Sequence, residues 1–412
     1  MRIDRISKAC CPGAAGPVDL SIVDGMVAGC NPTEATDDLP GRTLAAGGRV
    51  VVPAFVDAHV HLDKAYLVEH PALEGDLSTH LDDAIDAVGR LRDVVTLEEV
   101  RAGAERAVDT LVRNGTTAAR VHVEVDPAIG LAFVSLHQSL AADVSSRCGL
   151  QLVAFPQRGL ELPGAAELLV AAMKEGLEVV GGCPYVDDDP ARHLDLVFAL
   201  AERHGVPVDL HLDFSDDPGR SLLGLVAERT AAHAMAGQVT VGHVTTLAAM
   251  APYARAEALE LLARHGINLV ALPVTDLHLA GRGDPATRSV APVLDAAAAG
   301  VRVAVANNNI ANPFAPLGNG SLIQAAWLTG VVSRATSDHH QEVLLDAITT
   351  TPASILGLPL HGAAVGAAAD LAVLDTTEPT GTIRSAPGVS ATLRAGQLVH
   401  LATSVPVIDA PV

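Results

Sequence analysis

Val51-Val52-Pro53-Ala54-Phe55-Val56-Asp57-Ala58-His59-Val60-His61-Leu62-Asp63-Lys64 is the stretch on which the reading of this chain turns. Five of the six positions 51–56 are apolar, and the run leads into two histidines separated by one residue. Apolar runs of this kind suit a strand buried on both faces of a parallel sheet. Residues two apart on a strand point to the same side, so His59 and His61 present two imidazoles to one place. Neutral imidazole is a good ligand for zinc, iron or nickel, and a strand end holds both rings at a fixed separation. In a chain with 17 histidines such a pair also arises by chance, so its surroundings must carry the argument.

Downstream, from 53 to about 350, apolar strands alternate with Ala/Leu/Glu/Arg-rich helical stretches such as 98–113. Strand candidates are 51–58, 117–123, 150–155, 179–182, 208–212, 239–243, 268–272 and 302–306, eight before the helices of 320–357. Eight βα units predict a (β/α)8 TIM barrel, whose functional groups collect at the C-terminal ends of the strands. Polar residues sit there: His59 and His61 after the first strand, His122 after the second, Gln157 after the third, and His211 and Asp213 after the fifth. His243 follows the sixth, Asp276 and His278 the seventh, and Asn307-Asn308-Asn309 the eighth.

Upstream, residues 1–52 read as short strands and turns, with Asp24-Gly25 as a hairpin signal between Leu20-Ser21-Ile22-Val23 and Met26-Val27-Ala28. After about 360 the same composition returns, in Asp370-Leu371-Ala372-Val373-Leu374 and in 389–399. The expected organisation is a small β-sandwich domain built from both chain ends, 1–52 and 360–412, around a barrel of 53–359.

The 412 residues provide for one large domain and a smaller one. Hydrophobic residues make up 49% but aromatics only 2%, so Ala, Val and Leu must build the interior, as in helix-covered parallel sheets. A formal net charge of −21 argues against nucleic acid or an anionic membrane surface as partner and leaves a small-molecule substrate. Five cysteines without Cys-x-x-Cys spacing offer neither a disulfide framework nor a thiolate zinc site, which fits a reducing cytoplasm. Arg2, Asp4 and Arg5 with no apolar core behind them give no signal-peptide pattern, and no uncharged apolar run is long enough to span a bilayer.

The β unit, His59-Val60-His61, the lone His211, Gly242-His243-Val244-Thr245 and the closing Ala-Asp-Leu-Ala-Val-Leu segment together resemble the amidohydrolase superfamily. Ala154-Phe155-Pro156-Gln157-Arg158-Gly159, His278-Leu279-Ala280-Gly281-Arg282 and Asn312-Pro313-Phe314-Ala315-Pro316-Leu317-Gly318 are similar to signatures of its cytosine deaminase branch. The resemblance covers nearly the whole chain in order. It implies one divalent metal ion, zinc or iron, held by His59, His61 and His211, and a histidine, here His243, that polarises the bound water or the substrate oxygen. It also implies that Gln157 offers its amide to an amide-like substrate edge. Barrels of this type often associate, so a homo-oligomer is compatible with the resemblance, although nothing in the sequence marks an interface.

Two positions depart from that pattern. Where the branch carries a proton-shuttling Glu after the strand-five histidine, His211-Leu212-Asp213-Phe214 has Phe214, which neither accepts nor gives a proton. Where the family places a metal-binding Asp after strand eight, Ala306-Asn307-Asn308-Asn309 has Asn308, a weaker ligand and a very poor base. Three imidazoles with an open water position still make a catalytic arrangement, and loss of the carboxylate lowers the pKa of a bound water. Help in expelling ammonia from an aromatic ring is what disappears, worth roughly 10²- to 10⁴-fold.

The expectation is therefore a metal-dependent hydrolase acting on a C–N bond, by deamination or ring opening, of a small nitrogen heterocycle or cyclic amide other than cytosine. Metal-bound hydroxide would attack with His243 assisting. The alternative is a family member with lyase or isomerase activity, or one that only binds a ligand. Asp213 is a second acid-base candidate, or a partner that orients a histidine. Phe214 is expected to line the pocket and Asn309 to contact substrate. Asp276 is a rim carboxylate near the substrate with a plain reading as a solvated group, and Lys64 reads as a solvated lysine at the barrel mouth. Neither a phosphate loop nor a Gly-x-Ser-x-Gly elbow is present.

Overall fold

The computed structural model describes residues 1–33, 41–73, 77, 79–283, 286–402 and 407–409. Its centre is a sheet of eight parallel strands arranged in sequence order. They are β1 (Phe55–Val60), β2 (Thr116–Glu124), β3 (Gly149–Phe155), β4 (Val179–Gly182), β5 (Val208–Leu212), β6 (Val239–His243), β7 (Asn268–Ala271) and β8 (Val303–Val305). Helices lie between them, as the alternating sequence pattern predicts for a TIM barrel. The seam between β1 and the end of β8 is closed by backbone. The amide of His61 donates to the carbonyl of Asn308 (2.7 Å), and the amide of Asn308 donates to the carbonyl of His59 (2.9 Å). Closure of the barrel thus runs through three of the residues expected to bind metal.

The predicted first strand over 51–58 divides in two. Val51–Pro53 pairs antiparallel with Leu371–Leu374, and only from Phe55 does the chain enter the barrel. The changeover is visible in the donors: the Ala54 amide bonds the Asp370 carbonyl, while the next amide, Phe55, bonds Gly115 beside β2. Pro53 has no N–H to continue a ladder and marks the point where the chain leaves one sheet for the other.

Two helices matter for the site. α1 (Leu81–Arg92) buries Ala84, Ala87, Val88 and Leu91, one stripe at helical spacing. α2 (Leu97–Arg113) starts at a capping box, in which the Thr96 side chain accepts from the Glu99 amide and the Glu99 side chain accepts from the Thr96 amide. Its face of Val100, Ala104, Ala107, Val108 and Leu111 belongs to the main core. Among the described residues no helix is long and apolar enough to cross a membrane.

Strands from both chain ends form two further sheets. Residues 5–9, 18–23, 26–32, 42–45 and 407–409 make one; 51–53, 371–374, 389–394 and 397–401 make the other. The Asp24-Gly25 hairpin is present with φ of 51° and 79° at its two turn residues, the left-handed pair that a type I′ turn requires. Ile3, Ile6, Leu20, Ile22, Leu371 and Leu393 share a core separate from that of the barrel. On that separate core we propose the division into a composite β domain, 1–52 with 360–412, and a barrel of 53–359.

Candidate active site

At the C-terminal end of the barrel the three histidines named from the sequence converge. His59 Nε2 lies 3.0 Å and His61 Nε2 3.1 Å from His211 Nε2. Two nitrogens bound to one tetrahedral ion at about 2.0–2.1 Å would be roughly 3.3–3.4 Å apart, so the spacing is near that of a ligand set. Burial pushes the pKa of each ring well below the ordinary histidine value, and neighbouring titratable groups add to it: His122 for His59 and His211, Lys64 for His61. All three are therefore neutral near pH 7. Among the described residues each Nδ1 is buried without a hydrogen-bond partner, as is Oδ1 of Asn308. Three neutral imidazole nitrogens facing one another can share at most a proton or two, and a cation accepts the lone pairs of all three at once. The donor set fits a divalent ion.

His122 joins the cluster from below. Its ring stacks on His59 at 3.8 Å, and among the described residues it is His59, His122 and His211 whose ligand atoms all fall within 4.8 Å of one another; His61 approaches His211 but is not part of that trio. We favour His61, because it and His211 line the open cavity whereas His122 Nε2 already meets Asp209 Oδ1 at 3.2 Å. Asp209 is fully buried and also receives Arg120 Nη1 at 2.7 Å. Asp209 was legible in the sequence: it precedes His211 by two on β5 and so shares its face.

The backbone strains where strands end at the site. Asp213, His243, Val244 and Asn308 have φ of 52°, 69°, 48° and 60°, a region that costs non-glycine residues on the order of 1–2 kcal/mol each. At Asp213 this reverses an expectation. The positive φ takes the residue out of strand alternation, and its carboxylate accepts from Ser221 Oγ (2.6 Å), the Leu222 amide (2.9 Å) and Thr246 Oγ1 (3.2 Å). Burial raises its pKa, these donors partly offset that, and the side chain does not line the cavity. Gly242, one residue before His243, allows close packing: a Cβ there would lie 3.1 Å from His59 Nδ1.

His243 lines the cavity, and its Nδ1 lies 2.6 Å from Asp276 Oδ1. Asp276 is not the solvated rim group expected. It sits in the short helix Pro273–Leu279 with no exposed surface, and burial raises its pKa while His243 lowers it. Lys64 is likewise buried, not solvated; its Nζ donates to Gln157 Oε1 at 2.5 Å. Phe214 meets His243 edge to face at 4.9 Å. Asn309 accepts from Asn312 Nδ2 (2.7 Å) and donates to Thr275 Oγ1 (3.3 Å), and with Asn308 it forms part of the wall. Asn307 instead turns inward, donating from Nδ2 to Asp57 Oδ2 at 2.7 Å. His278 lines a separate surface groove.

A cavity of about 60 Å³ lies here, lined by Leu81 and Ile85 of α1 and by Phe155, Phe214 and Phe314 beside the polar residues. Tyr185 and Cys183 complete it from the β4 loop. Nothing in the local pattern of 81–85 or 183–185 reveals that role, since the residues that reach the cavity, Leu81, Ile85 and Tyr185, read locally as ordinary apolar or aromatic positions.

Known proteins bear on this arrangement. At 29% identity the chain is similar to the pterin deaminase of Rhizobium rhizogenes, over 86% of this chain and 81% of that protein. It is 27% identical to the N-isopropylammelide isopropyl amidohydrolase of a Pseudomonas species, over 82% of each. The crystal structure of 5-methylcytosine deaminase from Klebsiella pneumoniae superimposes with a TM-score of 0.90 at 29% identity, covering 97% of this chain and 98% of that one. Residues 73–400 match the model of the amidohydrolase family, and with the convergent histidines at the barrel mouth this makes the chain a member of the amidohydrolase family, enzymes acting on carbon–nitrogen bonds.

Proposed function

We propose that this enzyme hydrolyses a C–N bond of a small, single-ring nitrogen heterocycle or cyclic amide, by removal of an exocyclic amine or by ring opening. The observation that carries the reading is the approach of His59 and His61 to His211 beside a small cavity lined by His61, His211 and His243. A zinc or iron ion held by these three imidazoles, with Asn308 Oδ1 beside them, would supply Lewis acidity towards a water nucleophile.

His243 then moves the proton. With Nδ1–H donated to Asp276, its Nε2 is the free acceptor, able to take a proton from the nucleophilic water and return it to the departing nitrogen. Asp276 acts through His243 and is a positioning residue. Lys64 occupies Gln157 Oε1, which leaves the Gln157 amide N–H groups to donate to a substrate carbonyl or ring nitrogen. Phe155, Phe214 and Phe314 offer faces and edges to a flat ring. At about 10–15 Å³ per water by this measure, the cavity of about 60 Å³ has room for some four to six waters, of the order of one small ring. A two-ring substrate requires Leu81 and Ile85 to move. Phe214 supplies no proton to a poor leaving group, which argues against cytosine itself.

The test is metal content and turnover together. Protein purified without chelator should hold about one zinc or iron per chain, lost in His61→Ala, and should release ammonia or a ring-opened product from a panel of aminated heterocycles and cyclic amides. Less than about a tenth of an ion per chain after metals are added back would overturn the metal-dependent reading and favour a binding or non-hydrolytic role.

A further inference from the structure

A second cavity of about 230 Å³ lies beside the first, between the α1–α2 pair and the end of β2. It is a partly open pocket, large enough for a small organic molecule. Its body is apolar, built from Val88 and Leu91 of α1, Val100 of α2 and Phe133. Its polar end holds four charged groups, Asp63, Lys64, Arg92 and Glu124, the first two and Glu124 almost completely buried.

These charges are unequally satisfied. Arg92 is paired with Glu124, and Lys64 donates to Gln157 on the other side. Asp63 Oδ1, by contrast, is buried with no hydrogen-bond partner among the described residues. It lies 3.9 Å from Lys64 Nζ, too far for a direct hydrogen bond and a span that one oxygen could bridge. The bridging group must donate to Asp63 and accept from Lys64. A hydroxyl does both through its one oxygen and a primary amide through its N–H and its carbonyl; an ammonium donates but cannot accept, and meets Lys64 and Arg92; a carboxylate cannot donate to Asp63.

We propose that this cavity is an accessory ligand site for a small, uncharged amphiphile, an alcohol or primary amide carrying an aliphatic or aromatic body. The head would bridge Asp63 and Lys64 while the body replaces the void along Val88, Leu91, Val100 and Phe133. Filling an apolar void of this kind is favourable because its walls otherwise lack contacts on one side. Lys64 lines both cavities, so the occupant sits one side chain away from Gln157.

The probes are benzyl alcohol and benzamide, with toluene, benzylamine and benzoate as controls, added to the intact chain and followed by ligand-detected NMR and thermal shift. These readouts do not depend on turnover, so failure here is distinct from failure of the hydrolytic reading. The alcohol and amide should bind with dissociation constants of the order of millimolar, at least about tenfold tighter than the controls. Val100→Phe, which fills the body of the cavity, should weaken binding at least about tenfold, and Ala132→Leu at the opposite wall provides a second blocking variant if the first fails to fold. Asp63→Asn should erase the preference for alcohol and amide over toluene. Equal binding of all five probes, no binding, or binding that survives both blocking variants would overturn the proposal in favour of a void holding only water.

Discussion

Arg120→Met removes the largest fully buried side chain among the described residues, and the structure sets what that costs. The guanidinium donates to Asp209 Oδ2 (2.7 Å), Gln151 Oε1 (2.8 Å), Thr240 Oγ1 (3.3 Å) and the Ile355 carbonyl (3.2 Å). Methionine fills similar volume, so the loss is electrostatic. Asp209 would stay buried with His122 as its remaining partner, a ring whose pKa burial lowers and Asp209 partly restores. Stranding one member of a buried ion pair costs about 3–5 kcal/mol. With roughly 2.1 cal/mol/K of unfolding entropy per residue, that is a fall in Tm of about 4–6 °C for a chain of this size. Differential scanning calorimetry and urea denaturation measure it. Replacing both members by apolar residues, Arg120→Met with Asp209→Leu, should recover most of the loss, because no charge is then left uncompensated. A single variant within about 1 kcal/mol of the parent, or a double variant less stable than the single, would refute this account of the barrel interior.

Three further outcomes follow from the site. Asp276→Asn should lower the hydrolytic rate by about 10²- to 10⁴-fold while metal content stays unchanged, since the carboxylate orients His243 and touches no ligand of the ion; steady-state kinetics beside elemental analysis separates the two. Gly242→Ala should weaken metal retention by about tenfold or more in a chelator competition, because the new Cβ presses on His59 at 3.1 Å. Arg158 holds the Asp126 carboxylate below its ordinary value despite the opposing effect of burial, so its stabilisation is full above about pH 4 and is lost as pH falls through the lower folded value. Arg158→Ala should thus cost about 1 kcal/mol at pH 7, given the partial exposure of Arg158, and progressively less below pH 4; a difference that grows on acidification would contradict the assignment.

Much of the architecture was legible before any coordinates. Eight apolar runs alternating with helical segments dictate a parallel barrel because strand and helix periods are local properties of the chain, and His59, His61, His211 and His243 stand at strand ends where a barrel collects its functional groups. The same two-residue alternation contained Asp209, and extending it one step too far placed Asp213 beside His211. That step failed because the backbone turns to positive φ at the strand end, where alternation stops. The pairing of His243 with Asp276, 33 positions apart, the burial of Lys64 against Gln157, 93 apart, the approach of Leu81 and Ile85 to the cavity, and the pocket beside Asp63 join residues from separate βα loops. Each arises only when the seam at Asn308 closes the barrel and brings those loops to one mouth, so local sequence pattern carries no trace of them.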